Sequence, residues 1–111
     1  MTTPESDLDP DFVPVAPGWW VSNFGGIVLC GVVAAVSRRP LLRWVFALAA
    51  TTHVVEGTVA YRRARAAGLR DLAARRWGLQ TLAVGFPSLI GLGRLLRERA
   101  ERAERAPTDD A

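Results

Sequence analysis

Three long apolar blocks, at residues 19–37, 41–61 and 78–96, are the feature that most limits how this chain can fold. Each block is close to the roughly 20 residues that a helix needs to cross the hydrocarbon core of a bilayer. Half of the 111 residues are hydrophobic, and they are gathered in these blocks. The pattern predicts an all-α integral membrane protein with three transmembrane helices.

The two ends of the chain are charged and differ from the blocks. Residues 1–17 hold acidic side chains and four prolines but no basic residue, which predicts a disordered acidic tail. They have neither the positive start nor the cleavage site of a secretory signal, so the first block is interpreted as a span. The spans form one predicted domain at residues 18–97. A charged tail follows at 98–111, where Glu98–Arg102 and Glu101–Arg105 pairs predict a solvated helix tip.

Tryptophans lie near the ends of the predicted spans, where interfacial anchors are expected. Trp19 and Trp20 open the first span, Trp44 lies near the start of the second, and Trp77 precedes the third. Pro40 separates the first two spans and leaves room only for a tight turn. We therefore expect these two spans to form an antiparallel hairpin.

The connector at residues 62–77 is rich in arginine, and all 14 basic residues of the chain are arginines. Its leucines and alanines can share one helical face, so it is either a short amphipathic helix on the membrane surface or a solvated loop. Three complete spans would divide the arginines eight to six between the two sides of the membrane. The larger group and the tail without basic residues predict an outside N-terminus and a cytoplasmic C-terminus.

An ionisable pair lies inside the second block. His53 and Glu56 are three residues apart and share a helix face. An ionisable side chain in hydrocarbon costs about 3 kcal/mol, so such a pair suggests a role. In antiparallel spans Gln80 and Thr81 come to a similar depth, with Ser88 deeper. We predict one interhelical polar cluster, which either locks helices together or serves a ligand or proton-handling site.

Pro87 interrupts the third block. Because proline has no amide hydrogen, and Gly85 is close by, we expect a kink that leaves the carbonyl of Ala83 without its usual partner. Such a kink would open space and supply an acceptor.

Other chemistry has little support in the sequence. Cys30 has no second thiol to pair with, and one histidine cannot build a usual zinc site, so neither metal nor cofactor is expected. The arginines flank apolar blocks and accompany no nucleic-acid recognition motif, which argues against nucleic acid as a partner. A nucleophile motif and a phosphate-binding loop are also missing.

The second and third blocks together carry a family resemblance. The pattern is H-x-x-E from His53, followed by W-x-x-Q-T-x-x-x-G-x-x-S-L from Trp77. It resembles a family of small multi-span membrane proteins of unknown function, known as domain of unknown function 4499 and including transmembrane protein 254. The resemblance covers residues 41–96 and implies architecture more than activity. Gly57 and Pro87 depart from the commoner family residues, and the arginine-only, alanine-rich composition is typical of a high-GC bacterium.

Three functions fit these features. The first is an accessory or structural membrane subunit that packs against lipids, a second copy or another membrane protein. The second is a module that binds a lipid or a sterol through the polar cluster. The third is an intramembrane isomerase, by analogy with the sterol-isomerase and sigma-receptor-like proteins. That analogy rests on the histidine and glutamate alone, because the four spans and second acidic residue of those proteins are not evident, so an enzyme is the less favoured hypothesis.

Overall fold

The computed structural model describes residues 10–106. Most of the predicted disordered tail, residues 1–9, and the last five residues lie outside the described part. Within it every regular element is helical, so the all-α prediction is confirmed. The four helices are α1 (Pro17–Ser37), α2 (Pro40–Ala66), α3 (Asp71–Val84) and α4 (Phe86–Arg105).

Helices α1 and α2 form the expected hairpin. Helix α1 contains one wider π-helical turn, Trp20–Phe24, and ends at Ser37. Arg38 then takes a left-handed conformation with φ of 58°, and Pro40 opens α2. The helices approach closely at Gly31, where a Cβ atom would lie 2.8 Å from the ring of Phe46.

Among the described helices, α1 has both the length and the apolar character needed to cross a membrane. The second and third spans are not confirmed by the same criterion. Helix α2 is long, but it continues through the first arginines of the predicted connector. A turn around Gly68, with φ of 89°, then leads into α3 at Asp71. The connector is therefore neither a separate surface helix nor a continuous loop, because its ends belong to α2 and α3.

The predicted third span is broken, and the expectation of one kinked helix is wrong. Helix α3 ends at Val84, Gly85 adopts φ of 85° and ψ of −142°, and α4 begins at Phe86. These angles are accessible to glycine and strained for other residues. Pro87 occupies the first turn of α4, where a proline needs no amide hydrogen and favours a helix start.

Helix α4 turns back along α3 and packs on α2. Ser88 contacts Gln80, and a Cβ atom at Gly91 would lie 3.6 Å from the ring of Trp77. Farther along α4, a Cβ atom at Gly93 would lie 3.7 Å from a guanidinium nitrogen of Arg63. The core between these helices is made mainly of small residues around one large ring: Ala60, Ala64, Leu69, Ala73, Ala74, Trp77, Leu92 and Leu95.

Trp77 is fully buried at the centre of this core, so its predicted role as an interfacial anchor is wrong. The alanines of α2 and α3 leave the space that its ring fills. Its indole nitrogen donates a 2.7 Å hydrogen bond to the carbonyl of Asp11, which satisfies the polar end of the ring. Trp19, Trp20 and Trp44 are exposed on the helix surfaces, with Trp44 at 75 %.

The segment at residues 11–16, which we call the strap, lies in an extended path against α3 and α4. The Phe12 ring packs edge-on against Trp77 at a centroid distance of 5.2 Å. The carboxylate of Asp11 pairs with Arg99 at 2.8 Å and with Arg70 at 3.5 Å. The predicted disorder therefore does not extend to the strap, because the fold offers partners that its composition does not reveal.

Helix α1 and the first half of α2 expose large apolar side chains around most of their surface, including Leu29, Val36, Leu41 and Leu48. The threonines of α2 are compatible with apolar surroundings. Their hydroxyls donate to carbonyls one turn earlier: Thr51 to Ala47, Thr52 to Leu48 and Thr58 to Val54, at 2.7 to 2.9 Å. These polar groups are therefore satisfied inside their own helix.

Candidate functional site at the helix break

The break at Gly85 leaves carbonyl groups at the end of α3 without helical partners, and two other helices supply them. The Nδ1 atom of His53, on α2, lies 2.8 Å from the carbonyl oxygen of Leu82. The side-chain amide of Asn23, on α1, donates a 2.8 Å hydrogen bond to the carbonyl of Val84. The amide of Gly85 itself donates to Thr81 at 2.7 Å. The end of α3 is thus capped by one side chain from α1 and one from α2.

The contact with Leu82 fixes the tautomer of His53. A carbonyl oxygen can only accept a hydrogen bond, so the proton lies on Nδ1. In the neutral ring Nε2 is then the unprotonated nitrogen, available as an acceptor or a base. The sequence predicts His53 as one half of a pair with Glu56, whereas its observed hydrogen-bond partner is the backbone carbonyl of Leu82.

Glu56 and His53 lie on the same side of Gly85. A Cβ atom at Gly85 would lie 3.2 Å from Oε2 of Glu56 and 3.3 Å from Nε2 of His53. His53 and Glu56 of α2 therefore lie at the depth of Gly85. Within residues 10–106, however, no hydrogen bond joins the histidine ring to the carboxylate. Glycine is required here for its left-handed backbone and also for space.

Gln80, Thr81 and Ser88 form a second polar group, buried between α3 and α4. The Ser88 hydroxyl accepts from the Thr81 hydroxyl at 2.8 Å and from the Gln80 amide at 3.1 Å. All three side chains are buried. Since a buried polar group without a partner costs about 1–3 kcal/mol, this network stabilises the junction of the two helices.

Gln80 also holds the strap. Its carbonyl oxygen accepts from the amide of Val15 at 2.9 Å, and its amide nitrogen donates to the carbonyl of Val13 at 3.3 Å. One side chain thus pairs with both a donor and an acceptor of the strap backbone, as a residue of a neighbouring strand would. Throughout the described residues, no buried side-chain nitrogen or oxygen lacks a partner.

The five predicted cluster residues are therefore divided between two neighbouring places. His53 and Glu56 lie against Gly85, whereas Gln80, Thr81 and Ser88 form the network beside the strap. Our sequence reasoning missed Asn23. Its signal was available, because an amide side chain within an apolar span is uncommon and usually has a specific partner.

A groove of about 470 Å³ opens between α2 and α3, outside the predicted cluster. The helices come close at Gly57, whose added Cβ would lie 2.9 Å from the carbonyl oxygen of Gly78. Beside this contact the groove is mainly apolar, with lining residues Val54, Gly57, Thr58, Tyr61, Arg75, Gly78, Leu79 and Leu82.

A polar network closes one end of the groove. The Tyr61 hydroxyl donates to Asp71 at 2.8 Å, and the other carboxylate oxygen of Asp71 pairs with Arg75 at 2.8 Å. The groove therefore combines an apolar floor with an ion pair of Arg75 and Asp71 at one end.

A comparison with models of known protein families shows which family the chain belongs to. The family model described as Transmembrane protein 254 matches residues 12–95. The chain belongs to the transmembrane protein 254 family. Neither a curated protein nor a solved structure matches it.

The transmembrane protein 254 match extends beyond the residues that carried the resemblance in the sequence. It begins at Phe12 in the strap, includes all of α1 and ends at Leu95 in α4. Membership of a transmembrane family, together with the apolar helix α1, supports a membrane location.

Proposed function

We propose that this member of the transmembrane protein 254 family is a multi-pass accessory or structural subunit of a bacterial plasma membrane. In this proposal the intramembrane polar residues hold a broken helix together and carry out no reaction. The observation that supports it most directly is the capping of α3 by His53 and Asn23, at 2.8 Å each.

The energetic argument concerns the surroundings of the break. In hydrocarbon no water can satisfy a free carbonyl, and each one costs several kcal/mol. The hydrogen bonds from His53 and Asn23 offset that cost for Leu82 and Val84. A polar residue whose removal exposes a carbonyl to lipid has a sufficient structural reason to be in the span.

A partner would pack on the exposed surface of α1. Added Cβ atoms at Gly25 or Gly26 would meet nothing within 4 Å, so this part of the helix is smooth and open. Small residues of this kind let two membrane helices approach closely. A second copy or another membrane subunit fits this surface, and both remain predictions. Gly26→Leu should lower the oligomer mass measured in mild detergent without lowering thermal stability, if the partner is a second copy.

Two substitutions at His53 test the structural role. His53→Asn keeps a donor near the position of Nδ1, whereas His53→Ala removes it. We expect His53→Ala to lose about 1–3 kcal/mol of stability in detergent, and His53→Asn to retain most of it. The proposal fails if His53→Ala is as stable as the wild type while a lipid that co-purifies with the wild type is lost.

Binding of a phospholipid is the second candidate function, and the groove between α2 and α3 favours it. An acyl chain fits an apolar floor that includes Val54, Leu79 and Leu82, and a phosphate at one end would share the guanidinium of Arg75 with Asp71. Leu79→Trp should fill the groove and reduce the phospholipid that co-purifies in mild detergent, measured by mass spectrometry. The matched control is Leu72→Trp, since Leu72 is also exposed on α3 but does not line the groove. Equal phospholipid content in both variants would contradict this function.

A sterol ligand and an isomerase activity have weaker support. Four grooves on the described residues have neither His53 nor Glu56 in their lining. A substrate would therefore need access to Nε2 of His53 by a path other than these grooves. Glu56→Gln distinguishes the alternatives, because a ligand site would lose binding while the fold is preserved.

A further inference from the structure

The direction of α4 changes how the chain can lie in a membrane. A third complete span would carry the C-terminus to the side opposite the connector. Instead, the ion pairs of Asp11 join Arg70 at the start of α3 to Arg99 near the end of α4. Arg99 lies 14 residues after Gly85 and Arg70 lies 15 residues before it, and each separation corresponds to about 22 Å along a helix. The two arms are nearly equal in length, so Arg70 and Arg99 lie at one level, and α4 continues beyond it to Arg105.

The position of Gly85 along α2 gives the depth of this turn. Gly85 lies against His53, which is 13 residues, or about 20 Å, from Pro40 at the other end of the hairpin. A hydrocarbon core of about 30 Å that starts near Pro40 therefore extends about 10 Å beyond Gly85. The turn would lie inside the bilayer, with only the nearest residues of α3 and α4 in hydrocarbon.

The distribution of charge fits this depth. Residues 77–93 contain no charged side chain and are centred on Gly85, with eight residues in each arm. Eight residues correspond to about 12 Å. Within these arms the exposed large side chains are apolar: Leu79, Leu82, Phe86 and Ile90.

Arginines from three helices lie at one level just beyond the uncharged arms. Arg63 is ten residues beyond His53, while Arg75 and Arg94 are ten and nine residues from Gly85, so all three lie about 14 Å from the turn. Arg39, at the other end of α2, lies about 21 Å from His53 in the opposite direction. The two levels of arginine are thus about 35 Å apart, slightly more than the hydrocarbon core.

We propose that α3 and α4 form a re-entrant hairpin that enters and leaves the bilayer from the cytoplasmic side. Its tip contacts acyl chains, and the arginines at its open end contact the phosphates of the cytoplasmic leaflet. The proposal rests on the multi-pass character of the proposed function, since α1 and α2 must both cross.

Orientation follows from the arginine count. With a re-entrant hairpin, Arg38, Arg39 and Arg43 are on one side, and the other 11 of the 14 arginines are on the opposite side. Cytoplasmic segments carry the excess of basic residues. Both ends of the chain are therefore cytoplasmic, and the N-terminus lies opposite to the side expected from three complete spans.

Labelling of single cysteines in intact cells tests this topology. In a Cys30→Ser background, Ser37→Cys, Ala67→Cys and Ala106→Cys each place a thiol at an exposed position. A membrane-impermeant maleimide should label Ser37→Cys in intact cells, and should label Ala67→Cys and Ala106→Cys only after the membrane is permeabilised. Labelling of positions 67 and 106 from opposite sides would overturn the hairpin. Labelling of both from outside, with position 37 protected, would overturn the cytoplasmic assignment.

One result would instead contradict the multi-pass function on which the proposal rests. If positions 37 and 67 react from the same side, α2 does not cross the membrane. A fourth variant, Phe86→Cys, tests the depth of the tip, because Phe86 is 53 % exposed on the protein surface. A thiol there should stay unlabelled even in permeabilised cells, since hydrocarbon excludes the reagent. Labelling at the rate of Ala106→Cys would place the tip in water and overturn the proposal.

Discussion

Gly57→Ala gives the sharpest test of how α2 and α3 pack. The added Cβ would lie 2.9 Å from the carbonyl oxygen of Gly78, 3.1 Å from the Cβ of Leu82 and 3.2 Å from its backbone nitrogen. Two of these atoms are backbone, so relief requires the helices to separate. Overpacking of this kind costs about 1–3 kcal/mol. Alanine recovers up to about 1 kcal/mol through its higher helix propensity, so the net effect is a loss of up to about 2 kcal/mol.

A matched control separates packing from propensity. Gly91→Ala changes the same residue type inside α4, where the added Cβ would meet the ring of Trp77 at an ordinary 3.6 Å. Gly91→Ala should raise the free energy of unfolding by up to about 1 kcal/mol, because alanine has the higher helix propensity. Thermal unfolding in detergent, followed by near-UV circular dichroism, should therefore rank Gly91→Ala above the wild type and Gly57→Ala below it. The reasoning is refuted if Gly57→Ala unfolds at or above the temperature of Gly91→Ala.

Three further substitutions test the break and the strap. Gly85→Ala should lower the free energy of unfolding by about 1 kcal/mol more than Gly68→Ala does. Both glycines have positive φ, but only a Cβ atom at Gly85 would also meet His53. Equal melting temperatures of the two variants would contradict this expectation. Ser88→Ala removes the acceptor of two buried hydrogen bonds. It should lower the free energy of unfolding, measured by denaturant titration, by about 1–3 kcal/mol. A loss below about 0.5 kcal/mol would show that the network is dispensable. Asp11→Asn should cost about 1 kcal/mol or less, and the difference from wild type should shrink as salt is added; a difference that does not depend on salt would argue against the ion pairs.

The features that local pattern determines could be predicted from the sequence. Pro40 between two apolar blocks indicated the hairpin of α1 and α2. The antiparallel direction expected for the second and third blocks is also observed for α2 and α3, where Gly57 lies against Gly78 and Gly85 lies against His53.

The break itself could not be predicted in the same way. A glycine two residues before Pro87 is compatible with a kinked helix and with a helix end followed by a helix start. The choice depends on whether the carbonyls released by a break find donors. Those donors, Asn23 and His53, are far away in the sequence, so the outcome is decided by tertiary structure.

The strap shows the same limit. Its prolines and Asp11 indicate disorder when the segment is considered alone. Its partners, Trp77 and Gln80, lie more than sixty residues away, and their polar atoms form hydrogen bonds with the strap backbone. Composition therefore indicates disorder for a segment that the folded helices hold in place, because distant residues form the surface that receives it.

The capped end of α3 has a consequence for how the protein is assembled. The carbonyl of Val84 needs the amide of Asn23 from α1, and the carbonyl of Leu82 needs the imidazole of His53 from α2. In the proposed re-entrant hairpin, these carbonyl groups at the tip have hydrogen-bond partners in lipid only when both earlier helices are already in place. We expect α1 and α2 to enter the membrane first, and α3 and α4 to insert afterwards against that pair. A chain without α1 would leave the tip with an unsatisfied carbonyl, and this makes insertion of the last two helices conditional on the first.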